Sequence, residues 1–171
     1  MARHGILVVL AATVLSVGVN AGPCKPFDDN NDGSQLVLGA GVTVSQINPH
    51  SAPNFLYNTL NAGRRSTTFS QSLPSLGPYL YRLDYYYNLQ TAIQGRGFAC
   101  QVTPSINGQT LRSSATLTDS GPYGQRFSSQ FFTAQYQTSP ATLSVSVQCQ
   151  GSLITIIIGT DDFLLTRTCA N

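Results

Sequence analysis

The sequence has few of the side chains that most enzymes use for chemistry. Its 171 residues include no glutamate, two histidines and a single lysine. A general base that works near neutral pH is most often a histidine, and metal-dependent hydrolases hold their metal through histidine and carboxylate groups. His50 is the only histidine outside the first few residues, and we interpret it as a surface residue of a proline-flanked turn. We therefore predict that the protein is not an enzyme, with no catalytic residues, cofactor or metal.

Strong charge of either sign is also absent. Charged residues make up 9% of the chain, and its formal net charge is +2. Proteins that bind nucleic acid or anionic lipid by electrostatic attraction carry a strongly basic surface. The balanced charge therefore predicts neither a nucleic-acid partner nor a membrane partner.

Only one long apolar run occurs, and it lies near the amino terminus. Residues 6–19 are uncharged and mostly aliphatic, and Val19-Asn20-Ala21 has side chains that a signal peptidase accepts. About fourteen apolar residues are too few for a membrane span, which needs ~18, but they are typical of a secretory signal peptide. We predict a signal peptide at 1–21, a secreted extracellular protein, and a single mature domain at 22–171 that starts with a polar arm at 22–33.

Four cysteines follow the predicted signal peptide. A secreted chain folds in an oxidising compartment, where cysteines form disulfides, and four cysteines allow three pairings. We favour Cys100–Cys149 because both residues occupy inward positions of predicted strands. We favour Cys24–Cys169 because this pair would tie the two ends of the domain together.

Apolar and polar residues alternate with a period of two along much of the sequence. The alternation is clearest in residues 79–89, 100–106 and 143–149, and it is typical of strands with one face in a core. Leu153–Ile158 is a continuous, largely β-branched run that predicts a strand buried on both faces. Further strands are predicted at Leu36–Val44, Thr67–Leu73, Gln125–Ala134 and Phe163–Thr168, with a hairpin turn at Asn107-Gly108. Seven or eight short strands predict an all-β antiparallel β-sandwich or jelly roll, stapled by the two disulfides.

Several short motifs follow one another in a defined order along these strands. They are Thr67-Thr68-Phe69-Ser70-Gln71-Ser72-Leu73, then Gly77-Pro78-Tyr79-Leu80-Tyr81-Arg82-Leu83, Ile106-Asn107-Gly108, Gly121-Pro122-Tyr123 and Asp161-Asp162-Phe163-Leu164-Leu165. In order and spacing these motifs resemble those of family 4 and family 9 carbohydrate-binding modules, particularly versions in secreted fungal proteins. The resemblance covers residues 67–165. It implies a galactose-binding-like jelly roll that binds polysaccharide without catalysis.

The polar side of the strand at 79–89 is a candidate ligand-binding face. If its alternate tyrosines point into the core, the residues between them share the solvent side. An aromatic ring there could stack on the C–H groups of a sugar while charged and amide groups bond its hydroxyls. Provided that the neighbouring strands belong to one sheet, the predicted ligand-binding residues are Arg82, Asp84, Tyr86, Gln101 and Tyr123. The alternative interpretation is an ordinary solvated sheet face.

Two functions remain open at this point. The first is non-catalytic binding of a polysaccharide or oligosaccharide, such as a cell-wall glycan. The second is a structural or effector-like protein that keeps the sandwich without the sugar site and binds another secreted or wall protein. The absence of tryptophan favours the second function, because the modules that the chain resembles use tryptophan in sugar binding.

Two acidic segments leave calcium binding open. Residues 28–33 match the first half of a calcium loop, but Gly39 stands where the bidentate glutamate should be. We interpret this segment as an acidic turn. The second segment lies where the resembled modules place a calcium-binding carboxylate. The residues concerned are Asp28, Asn30 and Asp32 in the first segment, and Asp161 and Asp162 in the second.

Overall fold

The structure is a computed structural model that describes residues 36–47, 49–50, 55–90, 97–121, 123–134, 140–151 and 154–168. The predicted signal peptide, the arm at 22–33 and the acidic segment at 28–33 lie outside the described residues. So do Cys24 and Cys169, so the predicted disulfide between them stays a prediction. In the part of the chain that is described, no helix is long and apolar enough to cross a membrane.

The described residues form β-strands and no helix. The strands are β1 Leu36–Leu38, β2 Val42–Ser45, β3 Phe55–Leu60, β4 Ser66–Leu73, β5 Leu80–Leu89, β6 Phe98–Ile106, β7 Gln109–Thr110, β8 Leu117–Thr118, β9 Arg126–Thr133, β10 Ala141–Gly151 and β11 Ile156–Arg167. A six-stranded sheet has the order β1-β4-β10-β6-β7, with β8 also paired to β6, and a five-stranded sheet has the order β2-β3-β11-β5-β9. The pairings are antiparallel. The predicted all-β antiparallel sandwich is confirmed.

The core lies between the two sheets and consists of alternate residues from both. On β5 the inward residues Leu83 and Tyr85 are fully buried, and on β10 the same holds for Val145 and Val147. Complete burial of one such side chain stabilises the fold by about 1.5–3 kcal/mol. The period-two prediction is therefore confirmed for β5 and β10, because one face of each strand packs into this core. Tyr79, the first tyrosine of the predicted run, lies before β5 and is exposed, so its predicted inward position is wrong.

Phe163 connects the two layers of the core. It stacks on Tyr85 of the same sheet at 5.0 Å between ring centroids, and it meets Phe69 of the other sheet edge-on at 5.6 Å. Phe163 lies at a β-bulge in β11, where the pairing with β5 shifts between Asp161 and Leu164. The extra residue, Asp162, has a positive φ of 48°. A bulge re-aims the side chains beside it, so Phe163 enters the core.

The disulfide Cys100–Cys149 is confirmed. The two residues are direct partners in the register of β6 and β10, and both side chains are buried. The hairpin at Asn107-Gly108 is present as a two-residue turn between Ile106 and Gln109. Both turn residues have positive φ, 48° and 80°, as a type I′ turn requires.

Several strand predictions need correction. Leu36–Val44 is not one strand: it forms β1 in one sheet and β2 in the other, because a turn at Gly41, with φ of 84°, redirects the chain. The runs Leu153–Ile158 and Phe163–Thr168 belong mainly to one strand, β11, which the bulge allows to continue past Asp161. The first run is not buried on both faces, since Ile154 is exposed and Ile157 half-buried.

Strand β3 at Phe55–Leu60 was not predicted. Its inward residues include Asn58, a polar residue that interrupts the apolar alternation but is fully buried. Asn58 donates to the Ile158 carbonyl at 3.1 Å and accepts from the Thr67 hydroxyl, on the opposite sheet, at 3.1 Å. These hydrogen bonds replace the hydrogen bonds to water that the amide loses when it is buried.

Candidate functional site

The predicted ligand-binding residues lie on different surfaces of the sandwich. Arg82, Asp84 and Tyr86 share the outward side of β5 in the five-stranded sheet, whereas Gln101 lies on β6 in the six-stranded sheet. The premise that these strands belong to one sheet is wrong, because the chain crosses from one layer to the other between β5 and β6. Tyr123 lies between β8 and β9, and its hydroxyl donates to the Asp119 carbonyl. The structure therefore brings together three of the five residues.

Arg82 and Asp84 form an ion pair on this outward side. Nε of Arg82 lies 2.8 Å from Oδ2 of Asp84, and the arginine side chain is 43% exposed while the aspartate side chain is only 9% exposed. Asp84 was expected in solvent but is buried, and Arg82 is its ion-pair partner. Its other oxygen, Oδ1, has no hydrogen-bond partner among the described residues. Because this oxygen is itself buried, it is closed to a ligand, and an acceptor left unpaired in this way costs about 1–3 kcal/mol.

Tyr86 is covered on one face by His50. The imidazole ring stacks on the phenol ring at 3.4 Å between centroids and 15° between planes. Two acidic side chains hold His50 there: Nδ1 lies 2.6 Å from Oδ2 of Asp162, and the His50 backbone N–H donates to Oδ2 of Asp161 at 2.9 Å. His50 thus reaches a specific place on the sheet, and Tyr86 does not present this face to a ligand.

This arrangement also accounts for the second acidic segment. Asp161 precedes the bulge of β11 and Asp162 is its extra residue, and both contact His50. Within the described ranges, no group of three or more histidine, cysteine or acidic side chains could hold a metal ion. We therefore assign these two carboxylates a role in positioning His50.

Two exposed phenylalanines lie beside these residues. Phe127 is 53% exposed and Phe131 is 61% exposed. In the register of β9 with β5 they stand opposite Tyr86 and Arg82 respectively. Residues four apart on one strand are separated by about 13 Å. We call the outward side of β5 and β9, with Arg82, Asp84, Tyr86, Phe127 and Phe131, the aromatic face.

The sequence predicted the strand of these phenylalanines but not their exposure. Phe131 and Phe132 are neighbours, so either face of the strand could have been the apolar one. Phe127 and Phe131 occupy alternate positions with Ser129 between them, and this pattern was the only sequence feature that indicated a shared side of the strand. The register decides the question, because it directs Phe132 into the core and leaves its neighbours outside.

No family model and no curated protein sequence matches this chain. Among solved structures, a family 4 carbohydrate-binding module is similar at 17% identity and a TM-score of 0.50, over 77% of this chain and 94% of that one. The chain has a carbohydrate-binding-module-like fold. An arabinose-bound α-L-arabinofuranosidase is similar at 14% identity and a TM-score of 0.53, over 77% of this chain but only 23% of the enzyme. A family 61 module solved with β-1,4-galactotriose has 18% identity and a TM-score of 0.46, over 80% of this chain and 89% of the module.

Such similarity concerns the fold alone, since one fold supports many functions. It supports the module-like fold that the motifs implied, and it does not single out family 4 or family 9.

Proposed function

We propose that this protein is a secreted, non-catalytic carbohydrate-binding protein that binds cell-wall glycan on the aromatic face. The observation that carries the proposal is the pair of exposed phenylalanines, Phe127 and Phe131, beside the ion pair of Arg82 and Asp84 on an open sheet. Exposed apolar side chains grouped in this way indicate an interaction surface.

The chemistry of the aromatic face fits a sugar chain. The two phenyl rings can stack on the C–H faces of sugar residues. Ser129 lies between them on the same side of β9 and is exposed, so its hydroxyl group is available to sugar hydroxyls. The exposed guanidinium of Arg82, held in place by Asp84, can donate a hydrogen bond to a sugar hydroxyl.

We propose for Tyr86 a role other than the ligand contact that the sequence predicted. Its ring lies between His50 and Phe127, at 3.4 Å and 5.1 Å from their ring centroids. We infer that Tyr86 supports Phe127 and the His50 turn, and that the phenylalanines make the main contact with sugar.

Binding to a panel of insoluble polysaccharides, followed by calorimetry with a soluble fragment of any that binds, tests this proposal. Phe131→Ala should weaken binding by about 1–3 kcal/mol, as expected for loss of one aromatic contact, with little change in melting temperature. Val37→Ala is the matched control, because Val37 is also an exposed apolar residue but lies on β1 of the other sheet. The purified protein should release no reducing sugar from the same polysaccharides.

A second function is favoured by the position of the phenylalanines. β9 is the last strand of the five-stranded sheet, and an edge strand with exposed apolar residues can pair with a strand of another protein. If no polysaccharide binds, while Phe131→Ala abolishes capture of a secreted or wall protein, this second function replaces the first.

A further inference from the structure

A cavity of about 220 Å³ lies at β9, the last strand of the five-stranded sheet. One wall is the inward side of β9, with Arg126, Ser128 and Gln130. The other wall is the segment between β7 and β8, which contributes Arg112 and Ser113. The cavity therefore opens at the edge of the sandwich, between a strand of one sheet and a connection of the other.

Hydrogen bonds from the backbone hold this cavity in shape. The Arg112 N–H donates to Oε1 of Gln130 at 2.8 Å, and Nε2 of Gln130 donates back to the Arg112 carbonyl at 3.1 Å. In the same segment, the Ala115 N–H donates to the hydroxyl of Tyr87, on β5, at 3.2 Å. These bonds fix the segment against β9 and β5 without using the side chain of Arg112.

The guanidinium groups of Arg112 and Arg126 carry uncompensated charge. Neither is in an ion pair with any described residue, and no carboxylate is among the residues that line the cavity. Two positively charged residues without a counter-ion at one cavity make its electrostatic potential positive, so an anion bound in it would be stabilised. A guanidinium binds a carboxylate through two parallel hydrogen bonds, which makes arginine well suited to this anion.

We propose that this cavity binds the carboxylate of a uronic acid residue in an acidic glycan. Sites for drug-sized ligands have volumes of about 300–1,000 Å³, so the smaller volume here suits a single sugar residue. Ser113 and Ser128 line the cavity and supply hydroxyl groups for the hydroxyls of that sugar. Because Phe127 also borders the cavity, one glycan chain could contact the aromatic face and place an acidic residue here. The identity of the ligand as a glycan rests on the proposed function.

Calorimetry at low salt with trigalacturonic acid as the probe tests this proposal. Arg112→Ala should weaken binding about 10- to 100-fold, as expected for loss of a charge-assisted pair, and Arg112→Lys should weaken it less. Arg64→Ala is the control, since it removes the same charge from the turn between β3 and β4, on the other side of the five-stranded sheet. The methyl ester of the probe should bind weakly to the wild-type protein.

Each outcome decides between the two proposals. The cavity proposal is overturned if Arg112→Ala binds the probe as tightly as Arg64→Ala, if the methyl ester binds equally well, or if inorganic sulfate binds as tightly as the probe. If the cavity proposal is overturned in this way but a neutral glycan binds and Phe131→Ala weakens that binding, the proposal for the aromatic face still holds. If Arg112→Ala weakens binding of the probe while Phe131→Ala weakens binding of no glycan, the cavity proposal holds and the aromatic-face proposal is overturned. Binding of no glycan at all overturns both.

Discussion

Tyr85→Phe removes a single oxygen atom from the core and tests whether the Tyr85 hydroxyl is without a hydrogen-bond partner. The residue is fully buried, and its ring stacks on Phe163. Its hydroxyl has no hydrogen bond of normal geometry to any described residue, although Ser128 lies close by. Because a buried polar group without a partner costs about 1–3 kcal/mol, Tyr85→Phe should leave the free energy of unfolding at neutral pH unchanged or raise it by about 1 kcal/mol.

The same residue makes stability depend on pH in the alkaline range. Burial raises the pKa of Tyr85 to about 12, and the nearby Ser128 and Arg112 oppose the shift only in part. In the unfolded chain the pKa of tyrosine is about 10, so above that pH the unfolded chain loses the proton before the folded chain does. The stabilisation is therefore fully present below about pH 10 and is lost as the pH rises toward about 12. At about pH 11.5 the contribution of Tyr85 to this loss is about 2 kcal/mol. Tyr85→Phe lacks that contribution, whereas the loss from Tyr81, whose pKa is also raised by burial, remains in both proteins.

Urea denaturation followed by far-ultraviolet circular dichroism, between about pH 7 and about pH 11.5, measures both effects. Tyr81→Phe is the comparison, because the Tyr81 hydroxyl accepts a hydrogen bond from the Gly77 N–H at 3.1 Å and donates to its carbonyl at 3.3 Å. Loss of these bonds should cost about 1 kcal/mol at neutral pH. If Tyr85→Phe is destabilised at neutral pH as much as Tyr81→Phe, the Tyr85 hydroxyl is paired in solution and the reasoning is wrong.

Three further predictions follow from individual contacts. Replacing Cys100 and Cys149 together by alanine should lower the free energy of unfolding by ~2–5 kcal/mol, and non-reducing peptide mapping should recover them as a linked pair. Asn58→Ala should cost about 2–4 kcal/mol in urea denaturation, because it breaks a buried hydrogen bond to Ile158 within the sheet and one from Thr67 of the opposite sheet; a loss below about 1 kcal/mol would contradict this. His50→Ala should speed nitration of Tyr86, read by mass spectrometry, because it uncovers that ring; an unchanged rate would mean that the turn does not cover it in solution.

The fold class and the local features were predictable because they depend on neighbouring residues. The alternation along β5 and β10, the inward positions of Cys100 and Cys149 and the positive-φ turn at Asn107-Gly108 arise from the period-two geometry of a strand or from turn sterics. Such features can be read from a few consecutive residues.

Only the tertiary structure decided which strands share a sheet, and the candidate site depends on that choice. It separated Gln101 from Arg82 and exposed Phe131 beside the ion pair. It also brought His50 onto Tyr86 through carboxylates more than a hundred residues away. Alternation tells which side of a strand is buried, but strand order is set by backbone hydrogen bonds between distant segments and by the layer in which each connection ends. The sequence by itself therefore determined a sandwich whose strands have one buried and one outward side. The packing of its layers determined which outward side chains became neighbours.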